Sequence, residues 1–147
     1  CTISKRCFSE QASSLHALRL IKDLMIIEDI RLFCLQKPKT TEEFPFDQDT
    51  LVFKVLGKIF ALCPLSQWER GAASITLKCD PEYALELRSE FDSILPGFHA
   101  NKKHWNTIQL DTNELSPKFI LELITHSYEM VVNNMSKKQR KELGFEQ

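Results

Sequence analysis

Residues 97–110 read GFHANKKHWNTIQL and bring His99, Asn101, Lys102, Lys103, His104, Trp105 and Asn106 together. These residue types suit three chemistries. Paired imidazoles begin a metal site, an imidazole beside a thiol activates a nucleophile, and lysines interleaved with amides and an indole grip nucleic acid. A metal site needs three or four converging ligands. His126 and the cysteines fall on other elements with no recognisable spacing, so no metal is expected. Nucleophilic catalysis would rest on Cys79 with His99 or His104. No G-x-S-x-G turn, glycine-rich phosphate loop or histidine–glutamate zinc helix accompanies that pair, and the chain has only 4 glycines from which to build a phosphate cradle. Glu42 and Glu43, adjacent carboxylates in a polar stretch, read as solvated charges rather than an acid–base pair. No catalytic residue and no cofactor are therefore assigned.

The third chemistry has more material. Lys102 and Lys103 at a hairpin tip would neutralise phosphates. His99, Asn101, His104 and Asn106 would hydrogen-bond, and Trp105 would stack or wedge. Lys54 and Lys58 bracket an earlier hairpin turn, and Lys78 lies close to the end of the next strand. Two basic hairpins on one sheet could straddle a phosphate backbone. The plainer reading makes Trp105 a core anchor and the lysines a solubilising fringe. The run Lys137, Lys138, Arg140 and Lys141 reads as a solvated helix face or a complement to the preceding helix dipole.

These residues have to be positioned by elements the sequence punctuates clearly. "MIIEDIRLFCLQ" opens with acidic residues and an apolar face of Ile27, Ile30 and Cys34, as a helix does. Residues 37–49 hold two prolines and read as irregular, with the "FPF" stretch plugging an edge. "TLVFKVLGKIFAL" divides at Leu56-Gly57 into a hairpin, with Leu51, Phe53 and Val55 on one face and Val52 and Lys54 on the other. Residues 64–73 read as a loop and "SITLKCD" as a third strand. Asp80-Pro81 caps a helix whose buried stripe is Ala84, Leu87 and Phe91. "FHA" and "WNTIQL" form the arms of a second hairpin. Ser116-Pro117 opens the strongest helix, with Ile120, Leu123, Ile124, Ser127, Val131 and Met135 inward. Ser136 with Gln139 makes a capping box for a short basic helix.

The order α-β-β-β-α-β-β-α describes a two-layer α+β domain with an antiparallel sheet of about five strands. Residues 25–147 make one domain. Residues 1–24 read either as an extension upstream of a start at Met25 or as part of one long helix over residues 14–36. The chain has 147 residues, 43% hydrophobic and 27% charged, which suits a globular protein of one domain. Its net charge of −1 means that any grip on nucleic acid must come from a local patch. The 5 cysteines are odd in number and lack a C-x-x-C pair, as expected of reduced core thiols in a cytoplasmic protein. No apolar run reaches bilayer length, so no membrane partner is expected.

Five segments in order, "TEEFPF", "LVFKVLGKIFAL", "LKCDPE", "GFHANKKHWN" and "HSYEMVV", together resemble the MmcQ/YjbR family of small bacterial proteins over residues 25–141. The resemblance implies an antiparallel α+β fold like that of secretion chaperones. It also implies a likeness to double-wing DNA-binding proteins, and it brings no enzymatic activity, cofactor or catalytic residue. The matching positions are Lys54, Gly57, Lys58, Lys78, Asp80, Pro81, Gly97, His99, Asn101 to Asn106, Ser127 and Tyr128. The extension of residues 1–24 departs from the family pattern. Gly57, Asp80 and Pro81 have plain structural uses, and Tyr128 should pack with its hydroxyl bonded. The expected function is therefore DNA binding through basic hairpins. The alternative is a chaperone-like module that binds a protein segment with the sheet or its edge.

Overall fold

Local caps and turns set most of the element boundaries. The computed structural model describes residues 27–97 and 100–144. In chain order they form α1 (Ile27–Leu35), β1 (Thr40–Glu43), β2 (Thr50–Val55), β3 (Lys58–Pro64), α2 (Leu65–Glu69), β4 (Ser74–Lys78), α3 (Pro81–Glu90), β5 (Ile94–Pro96), β6 (Trp105–Gln109), α4 (Pro117–Asn133) and α5 (Lys137–Glu142). Asp80 accepts the Tyr83 N–H at the start of α3, and Ser116 accepts the Phe119 N–H at the start of α4. Ser136 and Gln139 close a reciprocal capping box on α5. Leu56 and Gly57 both take positive φ, 48° and 83°, which matches the tight hairpin turn between β2 and β3.

The strands form one six-stranded sheet in the order β1-β2-β3-β4-β6-β5, antiparallel throughout. Alternation along each strand sorts its side chains. Leu51, Phe53, Ile75, Leu77 and Ile108 are buried in the core, on the sheet face that α4 covers. One residue of β3 is extra where the register shifts beside Phe53 and Lys54. Phe60, at that bulge, meets Tyr128 of α4 edge-on at 5.3 Å and Phe53 at 6.5 Å. Every residue read as the inner face of the strongest helix is buried, as are Tyr128 and Val132. Tyr128 donates its hydroxyl to the Pro38 carbonyl at 2.6 Å, and burial pushes that phenol up to about 12.

Three expectations need correction. Residues 40–43 are not irregular but form edge strand β1, held by Glu42, whose carboxylate takes two bonds from Arg31 at 2.7 and 2.8 Å. Phe44 and Phe46 do not plug an edge, being 48% and 65% exposed. The loop after β3 contains α2, steadied by a bond from Trp68 Nε1 to the Ser74 carbonyl at 3.0 Å. Strand β5 (Ile94–Pro96) pairs with β6, and β1 brings the sheet to six strands where about five were expected. The readings that concern residues 1–24, and the "FHA" arm at Phe98 and His99, fall outside the described residues.

Candidate functional site

The register decides which charges share an end of the sheet. Lys78 pairs with Trp105, Ala61 with Leu77 and Val55 with Lys58. The β2–β3 turn, the end of β4 and the loop entering β6 therefore lie side by side. Neighbouring strands are about 5 Å apart, so Lys58, Lys78 and the 101–104 turn span roughly 10 Å. Lys39 joins them, since its carbonyl accepts the Leu56 N–H at 3.4 Å. Lys39, Lys58, Lys102 and Lys103 are exposed and Lys78 is half-buried. The opposite end of the sheet carries Asp47, Asp49, Glu69, Asp92, Asp111 and Glu114 in its loops, with Arg70 and Lys118 as cations. A chain of formal net charge −1 thus carries its charges unevenly along its strands, with Asp80 and Glu82 at the β4–α3 junction as the carboxylates nearest the lysines.

The loop bearing Lys102 and Lys103 is built, not slack. The Asn101 carbonyl accepts the N–H groups of His104 and Trp105 at 3.2 and 3.0 Å, and its side chain accepts the Lys103 N–H at 2.9 Å. The His104 carbonyl accepts the Cys79 N–H at 2.8 Å, tying the loop to the end of β4. Arg88 of α3 clamps it from beneath. Its Nε donates to Asn106 Oδ1 at 2.7 Å, and one Nη donates to the Trp105 carbonyl at 3.2 Å and to the Lys102 carbonyl. Gly97 closes the other side through a 2.9 Å bond to the Trp105 carbonyl. Lys102 Nζ lies 3.2 Å from the Gly97 carbonyl, while the Lys103 side chain faces solvent.

The expected site residues separate accordingly. Asn101, Lys102, Lys103, His104, Trp105, Lys78 and Lys58 come together at one end. Lys78 Nζ lies 6.0 Å from the centre of the Trp105 ring, and the two residues pair directly across strands on the face away from α4. Asn106 does not belong to a binding surface. It is 2% exposed and points inward to Arg88, because it shares the face of Ile108 two residues on. Lys54 is drawn off too: its Nζ is 3.1 Å from Glu43, whose carboxyl is held low chiefly by that bond. His99 lies outside the described residues.

Two further parts of this end were not read as site residues from the sequence. Lys39 is brought there by the β1–β2 pairing, which no local signal announces. The lysines of α5 follow because α4 runs toward this end. Its Ser127 Oγ accepts the Lys78 N–H, His126 Nε2 accepts the Asp80 N–H, and Tyr128 reaches Pro38. Residues 129–133 then continue the helix, and Lys137, Lys138 and Lys141 are exposed on the element that follows. Arg88 was also missed; a lone arginine in a helix of mixed charge carries no positional signal.

The thiols are poor nucleophiles as placed. Burial pushes Cys79 up to about 11 and Cys34 up to about 12, and raises Cys63 well above its usual value. Among the described residues no group of three or more histidines, cysteines or carboxylates could hold a metal ion. Nor is any described helix long and apolar enough to cross a membrane.

Comparison with known proteins agrees with this architecture. The protein YbdF of Escherichia coli O157:H7 is 36% identical over 114 residues, covering 78% of this chain and 90% of that one. YjbR of Escherichia coli K12 is 32% identical over 117 residues, covering 80% and 96%. The crystal structure of Deinococcus radiodurans DR2400, with its DUF419 domain, superposes with a TM-score of 0.75 at 39% identity, covering 85% of this chain and 94% of that one. A Pseudomonas syringae protein superposes at 0.60 and 27% identity, covering 72% and 98%. The YjbR family profile matches residues 35–130, and the chain belongs to the YjbR family.

Proposed function

We propose that this protein binds nucleic acid by its phosphate backbone at the basic end of the sheet. The observation that carries the reading is the clustering, by strand register, of Lys58, Lys78, Lys102 and Lys103 at one end, where Asp80 and Glu82 are the nearby carboxylates, with six others around the opposite end. Phosphate contacts supply sequence-independent affinity, and the acidic end would turn away from the polyanion and fix the orientation of approach. Lys39 widens the patch, while Asn101 and His104 add hydrogen-bonding groups. The half-buried Trp105 ring offers a flat surface beside Lys78. Arg88 and Asn106 hold the loop rather than touch the ligand.

The test is fluorescence anisotropy of labelled duplex and single-stranded DNA titrated with the full chain at several salt concentrations. Four or five phosphate contacts give a slope of log affinity against log salt of about −4. Lys102→Ala/Lys103→Ala should weaken binding and flatten that slope by roughly 2. Affinity for every nucleic acid tried that is unchanged by the double substitution would refute the assignment.

A second reading, a module that adds a partner's strand to the sheet, is favoured by the outer edge of β1. That edge pairs with no strand among the described residues, and Phe44 beside it is 48% exposed. Stoichiometric capture of one protein that survives nuclease and high salt, and is lost in Phe44→Ser, would decide for it.

A further inference from the structure

The face of the sheet away from α4 holds a cleft of about 500 Å3 that the basic end does not use. Its floor is formed by Leu62, Pro64, Ser74 and Thr76, with Phe46 and Asp47 on one wall and Ala100 on another. That volume falls within the roughly 300–1,000 Å3 of small-ligand pockets. The floor is largely spoken for in hydrogen bonds. Thr76 Oγ1 and Thr107 Oγ1 bond each other at 2.9 Å, and the Ser74 hydroxyl donates to Gln67 Oε1 at 2.9 Å. What remains toward a ligand is apolar surface, the aromatic ring of Phe46, the Gln67 amide NH2, the Thr50 hydroxyl and one carboxylate, Asp47.

Asp47 is fixed in place. Its Oδ1 accepts the N–H groups of Asp49 and Thr50 at 2.9 and 2.7 Å, while among the described residues Oδ2 has the Thr50 hydroxyl at 3.4 Å. The Thr50 and Asp49 backbone bonds hold this carboxyl below its usual value, so it is ionised at neutral pH. Phe46 beside it is 65% exposed. Among the described residues that line the cleft, none is a cation. An ionised carboxylate and an aromatic face at the mouth of an apolar cleft match a positive head on an apolar body.

We propose that this cleft binds a small amphiphilic cation, its aliphatic or aromatic body on Leu62 and Pro64 and its ammonium or amidinium head on Asp47 Oδ2 and the Phe46 ring. The site is chemically opposite to the basic end and independent of it: one takes a cation on the sheet face, the other a polyanion at the strand ends. Failure of either leaves the other standing.

The test is a two-dimensional amide NMR titration of the full chain with hexylamine, hexanol and hexanoate, which share a tail and differ in charge. Hexylammonium should shift the amides of Thr50, Ser74 and Thr76 saturably, with hexanol weaker and hexanoate weakest. Asp47→Asn keeps an oxygen for the two backbone N–H groups, so the loop should stay folded, yet it should weaken hexylammonium about threefold, as suits an exposed carboxylate, and leave hexanol unchanged. Ala100→Leu, which narrows the cleft and leaves the charge alone, should weaken hexylamine and hexanol together. Equal binding of all three probes would overturn the proposal. So would shifts confined to other carboxylates, or the absence of any saturable shift, including a cleft already filled by another part of the chain.

Discussion

Replacing Arg88 should loosen the loop that carries Lys102 and Lys103 without touching either lysine. The guanidinium makes one bond to a buried side chain and two to loop carbonyls. Asn106 is 2% exposed, its Nδ2 has no partner among the described residues, and Arg88 supplies a bond to its amide oxygen. In Arg88→Met that oxygen is stranded, which costs about 1–3 kcal/mol, and the two carbonyl bonds on the solvent side add less. A total of about 2–3 kcal/mol corresponds to a fall in Tm of roughly 6–12 °C for a domain of this size. Urea unfolding gives the free energy. Hydrogen exchange gives the local effect, because the amides of His104 and Trp105 are bonded within the loop and should exchange faster. Arg88→Lys keeps the charge yet lacks the planar fork, and should recover less than half of the loss. Because Arg88 and Asn106 share one bond, Arg88→Met and Asn106→Leu will not add. The double variant should be more stable than the sum of the two predicts, by about 1–2 kcal/mol. Full additivity, or an Arg88→Met variant within about 0.5 kcal/mol of the parent, would refute the clamp.

Other substitutions probe the same frame. Gly97→Ala would place a Cβ 2.8 Å from Trp105 Cβ and 3.1 Å from its carbonyl oxygen, so one strand must give way. A loss of about 1–3 kcal/mol in thermal or urea unfolding is expected, and a neutral result would mean the loop yields freely. Ser127→Ala leaves the Lys78 N–H and the Phe60 carbonyl without the hydroxyl that serves both, at 2.9 and 2.5 Å. It should cost about 2–3 kcal/mol in urea, more than the roughly 0.5 kcal/mol of a surface change. Glu114 is held below its usual value of 4.5 first by the Ser93 hydroxyl and then by the Ser93 and Asp92 N–H groups. A depressed carboxyl stabilises the fold above its unfolded value, and the benefit is lost as pH falls through the folded one. The stability gap between Glu114→Gln and the parent should be full near about pH 7 and shrink steadily as pH falls below the usual carboxylate range. A gap independent of pH would remove the carboxylate from the account.

What the sequence disclosed was local, and what it hid depended on partners far along the chain. Asp80-Pro81, Ser116-Pro117 and Ser136 with Gln139 each complete their geometry within three residues, so the caps are readable. The stripe of α4 is readable because seven of its residues are buried at helical spacing. Strand β1 was not, since TTEE has no apolar alternation. Its inward residue Glu42 is admitted only because Arg31 meets it from α1. Asn106 was misassigned although a signal existed: counting back two from Ile108 puts it on the buried face. The wider basic end was hidden for a different reason. Lys39, Lys58, Lys78 and Lys103 lie far apart in sequence and become neighbours only through the register.

Placement can be tested apart from net charge. The formal net charge is −1, and removing any two cations changes it by the same amount. Lys102→Gln/Lys103→Gln takes both from the basic end. Arg70→Gln/Lys118→Gln takes both from exposed positions at the acidic end, in the turn after α2 and the first turn of α4. If affinity follows total charge, the two variants lose binding alike. If it follows placement, the first should flatten the salt slope by roughly 2 and the second should leave it near the parent value. At about 0.15 M salt the screening length is about 8 Å, so cations at the far end of a strand contribute little to a phosphate held at the near one. The contrast should therefore widen as salt rises toward that concentration and shrink in dilute buffer. Equal losses in both variants across the whole salt range would show that a diffuse field, and not the end of the sheet, attracts the polyanion.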